Sequence, residues 1–157
     1  MSGPSKLDPA SSLRGTRASE DVGALLEGTR TWAVVGCSPD PGRDSHRVAA
    51  LLQRKGFRII PVNPQGGAEI LGERVYPRLD AIPADAGVEV VDVFRRSEAA
   101  GAHVDEAIAL GAVGVWLQLG VIDAAAAARA RAAGLRVVMD RCPAIELGRA
   151  GAGRRAG

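Results

Sequence analysis

Short apolar runs alternate along the chain with longer stretches of mixed character. Runs rich in Val, Ile, Leu and Ala are typical of buried parallel strands, which read as continuous apolar segments. The predicted strands are 31–35, 57–62, 88–94, 112–118 and 135–139. After the first run, Val48, Leu51 and Leu52 fall on one face at helical spacing, which predicts a helix over 45–55.

Short polar residues precede the predicted helices, and glycines follow them. Ser, Thr, Asp and Asn are favoured as N-caps, and glycine is favoured just after the last helical residue. The predicted N-caps are Ser19, Ser45, Ser97 and Asp123, and the predicted terminating glycines are Gly28, Gly56, Gly111 and Gly134. Residues 65–87 are predicted to be mostly irregular.

Strands and helices alternate in the order β-α-β-loop-β-α-β-α-β. This alternation predicts an α/β protein with a Rossmann-like three-layer fold, in which a five-stranded parallel sheet carries helices on both faces. We expect the strand order 3-2-1-4-5, with a ligand at the carboxyl ends of the strands, beside the switch point between the first and fourth strands. The predicted organisation is a flexible N-terminal lead over 1–18, one domain over 19–148 and a flexible basic tail over 149–157.

Positive charge is concentrated at the two ends of the chain. The net charge of the 157 residues is +2, yet residues 1–19 carry +2 and residues 149–157 carry +3, which leaves −3 for the middle. A domain that binds nucleic acid needs a basic patch on its folded surface. The charge distribution therefore argues against nucleic acid as a partner.

The remaining composition excludes several other classes of protein. Hydrophobic residues make up 46% of the chain, enough for a folded core, and no apolar run reaches the ~20 residues of a membrane span. Residues 1–13 lack the apolar segment of a secretory signal, so we expect a cytoplasmic protein with no membrane partner. Two cysteines and two histidines suggest neither a disulfide framework nor a metal site.

The clearest chemical signal lies over 31–47, where the first strand leads into the first long helix. The apolar run ends at Gly36, a loop with two prolines follows, and the helix begins at Ser45. A glycine turn between a buried strand and a helix N-terminus favours anions, because unpaired backbone N–H groups and the helix dipole both attract negative charge. The turn therefore predicts a ligand that carries phosphate.

Two nucleotide-binding signatures are missing from this region. Gly36 is followed by Cys37 and Ser38, so the G-x-G-x-x-G pattern of dinucleotide-binding domains is absent. The second strand ends at Asn63, where those domains place an acidic residue for the ribose diol. No Walker A sequence occurs, which excludes a P-loop ATPase.

The other strand ends carry polar or glycine-bearing segments that would face the same ligand. They are 62–64, 94–96, 118–120 and 140–143. Because side chains alternate across a strand, we expect Arg95 rather than Arg96 to point into the pocket. Trp116 and Gln118, two positions apart, would share one face of the fourth strand.

Cys37 stands out as the thiol beside the predicted anion turn. Its position near a helix N-terminus and near Arg43 predicts a lowered thiol pKa. A disulfide with Cys142 is not expected, because the fourth strand would separate the two strand ends by roughly 10 Å.

Six motifs occur in order at or near these strand ends. They are Val-Val-Gly-Cys-Ser-Pro-x-Pro-x-Arg-x-Ser, Pro-Val-Asn-Pro, Glu-Ile-x-Gly-x-x-Val-Tyr, Val-Phe-Arg-Arg-x-Glu, Val-Trp-Leu-Gln-x-Gly and Val-x-Asp-Arg-Cys-Pro. From about Leu25 to Arg149, the chain resembles the small single-domain CoA-binding proteins, whose fold is similar to the CoA-binding domain of succinyl-CoA synthetase α chains. It departs from that family at Cys37, where members often have a small residue such as Ala.

The resemblance implies contacts with coenzyme A at every strand end. Gly36, Cys37 and Ser38 would form the turn at the CoA diphosphate, with Arg43 and Ser45 near the phosphates. The other implied contacts are Asn63 and Pro64 on the adenosine side, Val93, Phe94 and Arg95 at the third strand, Trp116, Gln118 and Gly120 on the pantetheine side, and Cys142 at the last strand end. Members of the family are generally described as binders without an established reaction, so no catalytic residue is implied.

Three functions remain open. The first is a non-catalytic module that binds CoA or a short acyl-CoA as a carrier, sensor or regulatory partner. The second is a small NAD(P)-dependent reductase, against which the missing glycines and the missing acidic residue speak. The third is an interaction protein that keeps the fold with a vestigial nucleotide pocket.

Overall fold

The computed structural model describes residues 9–65 and 67–153 of the chain. The strands are β1 (Thr31–Val35), β2 (Arg58–Val62), β3 (Glu69–Ile70), β4 (Glu73–Arg74), β5 (Val90–Val93), β6 (Gly114–Leu117) and β7 (Arg136–Val138). The helices are α1 (Pro9–Gly28), α2 (Asp44–Arg54), α3 (Ser97–Leu110), α4 (Ala124–Ala132) and α5 (Pro143–Gly153). Two 3-10 turns, Leu79–Ala81 and Ala84–Ala86, lie between β4 and β5.

Five of the strands form one parallel sheet in the order β2-β1-β5-β6-β7, while β3 and β4 form a separate hairpin. The Rossmann-like α/β class is confirmed, but the expected order 3-2-1-4-5 was wrong, because the third long strand, β5, pairs with β1. The expected order placed the third strand at the outer edge of β2, but the segment at Tyr76 pairs with that edge. Val62 forms a parallel bridge with Tyr76 there, and the Tyr76 N–H donates to the Pro61 carbonyl oxygen at 3.0 Å.

Helices cover both faces of the sheet, as the alternating pattern predicts. α3 and α4 pack on one face, chiefly through the alanines of both helices and Val104 of α3, against the strand residues Val91, Val93, Val115, Leu117 and Val137. α1, α2 and α5 pack on the other face, against Trp32, Val34, Val90, Trp116 and Val138. The two tryptophans of this second face are fully buried, with their ring centroids 5.5 Å apart.

The beginnings of α2 and α3 differ from the capping predictions. α2 begins at Asp44, one residue before Ser45, and the N-cap position belongs to Arg43. Ser97 is likewise the first residue of α3, after an N-cap at Arg96. A serine in the first turn resembles a serine cap in sequence, so the two were not distinguishable by pattern. The Asp123 cap is confirmed, because its carboxylate accepts the Ala126 N–H at 3.0 Å.

The first helix is longer than predicted and covers the edge of the sheet. α1 begins at Pro9 rather than after a cap at Ser19. The buried carboxylate of Asp21 accepts the Val137 N–H at 3.4 Å and a hydrogen bond from Arg136 Nη1 at 3.1 Å, which docks the helix on β7. Residues 1–8 of the predicted lead and 154–157 of the predicted tail lie outside the described residues. No helix in the described part of the chain is long and apolar enough to cross a membrane.

Candidate functional site

The chain adds β2 on one side of β1 and then β5 on the other side, so the order of strands across the sheet reverses between β1 and β5. β1 leads to α2 on one face, and β5, its neighbour, leads to α3 on the other face. The loops that follow these strands therefore diverge, which opens a crevice at their carboxyl ends. The switch point lies between the first and third of the five strands, not between the first and fourth as expected.

Gly36 forms the floor of this crevice at the end of β1. Its φ is +83°, and a Cβ atom at this position would lie 2.4 Å from the carbonyl oxygen of Phe94. The Gly36 N–H donates to the Val62 carbonyl oxygen at 2.8 Å, so the turn is held between β2 and β5. Both the backbone conformation and the close approach require glycine.

The loop after Gly36 is held in shape by its own polar groups. The Ser38 N–H donates to Ser45 Oγ at 2.9 Å, and the Gly42 N–H donates to Asp40 Oδ1 at 2.9 Å. From β2, Asn63 Nδ2 donates to the Cys37 carbonyl oxygen at 2.9 Å. Ser45 and Asn63 therefore brace the turn from the helix side and from the strand side.

The depression above this turn has a volume of ≈ 570 Å³. Its lining residues are Gly36, Ser38, Gly42, Arg43, Asp44, Ser45, Arg47 and Phe94. The N-terminus of α2 has no side-chain cap, so its first backbone N–H groups are available to a ligand. Arg47 is committed to the Asp44 carboxylate and to the Gly42 carbonyl oxygen, at 2.8 Å from the latter.

A second depression, of ≈ 650 Å³, adjoins the first at Phe94. Arg95, Arg96, Glu98 and Ala99 line it together with Phe94. Both Arg95 and Arg96 line it, because the chain leaves the strand after Val93 and strand alternation no longer applies; the preference for Arg95 as the ligand contact stays a prediction. Across the two depressions, Arg43, Arg95 and Arg96 are exposed and make no ion pair with any residue that the structure describes.

The other predicted site residues lie outside these depressions. Val93 and Trp116 are fully buried in the core on opposite faces of the sheet, and the Trp116 indole N–H donates to the Arg141 carbonyl oxygen. Pro64 is exposed after β2, and Gly120 is exposed after β6, where its N–H donates to Asp140 Oδ1 at 2.7 Å. Cys142 is half-buried against the tryptophan side of the core.

The Cys37 thiol has a raised pKa, whereas the sequence predicted a lowered one. Its side chain is fully buried in the core beneath the turn, and burial, followed by the nearby Asp92 carboxyl, raises the pKa of the thiol to about 12. A lowered pKa requires an exposed thiol facing the helix N-terminus, whereas this thiol faces the apolar layer. Both cysteines are free, and two strands, β5 and β6, separate the strands that precede them.

Asp92 is the polar residue that sequence reasoning missed. It lies in the central strand β5, is fully buried, and accepts a hydrogen bond at Oδ1 from Gln118 Nε2. Oδ2 has no hydrogen-bond partner among the residues described. Burial raises the pKa of Asp92 to about 8, against a smaller opposing effect of the Gln118 hydrogen bond. The available signal was a single carboxylate in an otherwise apolar strand.

The structure also has depressions away from the crevice. One of ≈ 330 Å³ lies near the amino ends of β1 and β2 and is lined by residues of α1 and α5 and of the loop after α2. It is lined by Leu26, Thr29, Lys55, Gly56, Phe57, Leu147 and Ala150, and so presents a single charged side chain. Within the described ranges, no group of three or more His, Cys, Asp or Glu residues could hold a metal ion.

Comparisons with known proteins agree with this architecture. The chain is 35% identical over 122 residues to the uncharacterized protein YneT of Bacillus subtilis, covering 78% of this chain and 88% of that protein. A hypothetical protein from Pyrococcus horikoshii has a similar structure, with a TM-score of 0.77 and 34% identity, covering 95% of this chain and 98% of the other. A Thermus thermophilus protein of known structure is also similar, with a TM-score of 0.74 and 35% identity, covering 83% of this chain and 96% of the other.

The family assignment rests on a match that covers most of the fold. A family model described as a CoA-binding domain matches residues 30–148, from the start of β1 into α5. The match includes every strand of the sheet and both depressions at the crevice. The chain therefore belongs to the CoA-binding domain family.

Proposed function

We propose that this protein binds coenzyme A or a short acyl-CoA in the crevice between β1 and β5, as a non-catalytic carrier, sensor or regulatory module. The observation that carries the proposal is the Gly36 turn, where a close backbone approach meets the uncapped N-terminus of α2. Such a turn suits phosphate oxygens, which accept hydrogen bonds from backbone N–H groups and are favoured by the helix dipole.

The distribution of positive charge supports an extended polyanionic ligand. Arg43 stands at the N-cap of α2 beside the turn, and Arg95 and Arg96 line the adjoining depression. Coenzyme A carries a diphosphate and a separate 3′-phosphate, so two neighbouring cationic regions match its charge. An arginine can bind phosphate through two parallel hydrogen bonds, which gives geometric specificity as well as affinity.

The crevice suits a nicotinamide dinucleotide less well. Its turn has the single Gly36 in place of three glycines, and β2 is followed by Asn63, whose amide is already bonded to the Cys37 carbonyl oxygen and to the Gln65 N–H. No carboxylate stands there for a ribose diol. The Cys37 thiol is buried beneath the turn and burial raises its pKa to about 12, which favours a binding role over a covalent one for this residue.

Calorimetric titration with CoA, acetyl-CoA, NAD and NADP tests the proposal. We expect CoA and acetyl-CoA to bind and the two dinucleotides to bind much more weakly. Binding of NADP without binding of CoA would replace the proposal with the reductase hypothesis. No binding of any of the four would favour an interaction protein with a vestigial pocket.

A further inference from the structure

Two arginines line the depression above the Gly36 turn, and one of them already has an anionic partner. Arg43 is the N-cap of α2, and the Arg47 N–H donates to its carbonyl oxygen at 3.1 Å, one helical turn later. Residues four apart lie on the same side of a helix, so both guanidinium groups can reach one ligand. Arg43 has no ion pair within the described ranges, whereas Arg47 binds the carboxylate of Asp44.

Asp44 is the one carboxylate among the described residues that line this depression. It is the first residue of α2, where a negative charge interacts favourably with the helix dipole. The same position puts that charge beside the uncapped N–H groups to which we assign a phosphate. A carboxylate there repels a phosphate ligand, so the residue that suits the helix opposes the ligand.

The ion pair between Arg47 and Asp44 is exposed and therefore weak. The two side chains are 60% and 81% exposed, respectively, and such pairs gain little because water solvates both partners and salt screens them. Arg47 uses Nη2 for Asp44 and Nη1 for the Gly42 carbonyl oxygen, at 2.8 Å. Nη2 can thus exchange the carboxylate for a phosphate oxygen while Nη1 keeps the side chain beside the turn.

We propose that Asp44 competes with the ligand for Arg47 and so sets the affinity of the site: in the free protein Asp44 occupies Arg47, and a diphosphate takes Arg47 over when it binds. A diphosphate has oxygen atoms on two phosphorus atoms and can contact Arg43 and Arg47 together. The proposal rests on the proposed function, since it places the diphosphate of the ligand at the Gly36 turn. It assigns opposite effects to two residues of one helix, because Arg47 favours binding and Asp44 opposes it.

Calorimetry of CoA binding at low ionic strength tests the proposal on the wild-type protein and the Asp44→Asn variant. Asparagine keeps the shape of the side chain and removes its charge, so CoA should bind about three- to tenfold more tightly to the variant. The gain should shrink at high salt, because screening weakens the repulsion. A variant that only disturbed the turn would bind CoA more weakly, and unchanged or weaker binding would overturn the proposal.

Asp85→Asn is the matched control for the change in net charge. Asp85 is exposed in the 3-10 turn Ala84–Ala86, which precedes β5 and so lies at the amino end of the sheet, away from the crevice. Its substitution should leave the dissociation constant of CoA unchanged. A gain equal to that of Asp44→Asn would assign the effect to net charge and overturn the proposal.

Arg47→Ala, made in the wild type and in Asp44→Asn, tests whether the ligand takes Arg47 over. The loss of CoA affinity should be larger in the Asp44→Asn background, because in the wild type the contact of Arg47 with phosphate is offset by the loss of its pair with Asp44. A loss that is equal in the two backgrounds, or larger in the wild type, would overturn the proposal.

Inorganic pyrophosphate keeps the test separate from the proposed function. Titration followed by phosphorus NMR should show tighter binding of pyrophosphate to Asp44→Asn than to the wild type. If CoA binds neither protein, the proposed function fails, and pyrophosphate still decides whether Asp44 competes at the turn. Equal binding of pyrophosphate to the two proteins, or no binding to either, would overturn the proposal.

Discussion

Gly36 is the residue on which the geometry of the phosphate turn depends most directly. It combines a left-handed conformation with a carbonyl oxygen 2.4 Å from its missing Cβ. Gly36→Ala should therefore be destabilised by more than the 1–3 kcal/mol typical of backbone strain alone, and it should lose CoA binding. Denaturant unfolding and calorimetry measure the two effects.

The matched control for this prediction is Gly134→Ala. Gly134 has a similar φ of +90°, but nothing lies within 4 Å of its Cβ position. A smaller loss of stability in this variant assigns the difference to the contact with Phe94. Equal losses in the two variants would show that the close approach to Phe94 is unimportant.

Substitution of Arg43 tests whether a cation at the N-terminus of α2 contributes to ligand binding. It occupies the N-cap of α2, and the structure gives it no ion pair within the described ranges. Arg43→Ala should weaken CoA binding by about 1–3 kcal/mol, the range of a hydrogen bond to a charged group. Arg54→Ala, at the other end of α2, is the control and should leave the dissociation constant unchanged. An unchanged constant in Arg43→Ala would remove this residue from the site.

At the scale of elements, β5 carries a buried carboxyl, Asp92, that should make stability depend on pH. The pKa of Asp92 rises from 3.8 to about 8 on folding, so between these values the folded state keeps a proton that the unfolded state has lost. The free energy of unfolding should consequently fall as the pH rises from about 4 to 8. In Asp92→Asn this fall should be much shallower, as thermal melting at pH 5 and pH 8 would show. If the two proteins lost the same stability between pH 5 and pH 8, the pKa of Asp92 would not be raised in the folded protein.

α1 lies outside the matched family region, which begins at residue 30, and packs against β7, which lies inside it. Its buried anchor is Asp21, which binds the backbone and side chain of β7. Asp21→Asn should lower stability by about 1–3 kcal/mol, the range expected when a buried charged hydrogen bond is disturbed. CoA affinity should not change, because the crevice lies at the end of other strands. Glu20→Gln, exposed on the same helix, is the control for charge removal alone.

The elements themselves were predictable where local pattern decides them. Continuous apolar runs identified all five strands of the sheet, and Asp123 and Gly111 were recognised as helix ends because capping is a local interaction. Ser45 was misread as a cap, since its hydroxyl instead accepts a hydrogen bond from the Ser38 backbone N–H, a contact set by the loop. The burial of Asp92 depends on neighbours brought by two other strands, which no local pattern reveals.

At the scale of the whole molecule, the sequence-based prediction placed one strand wrongly and therefore placed the switch point between the wrong pair of strands. The irregular segment after β2 returns along the edge of that strand through Tyr76, and this sends β5 to the other side of β1. Alternation of strands and helices predicts the fold class but not this order. The crevice nevertheless stays at the end of β1, because β1 remains beside the switch point in both arrangements.

The crystal structure of the protein saturated with CoA would test the central claim most directly. The account predicts electron density for the diphosphate against the Gly36 turn and the N-terminus of α2, with Arg43 in contact with a phosphate. Density for CoA elsewhere, such as in the depression between α1 and α5, would contradict it.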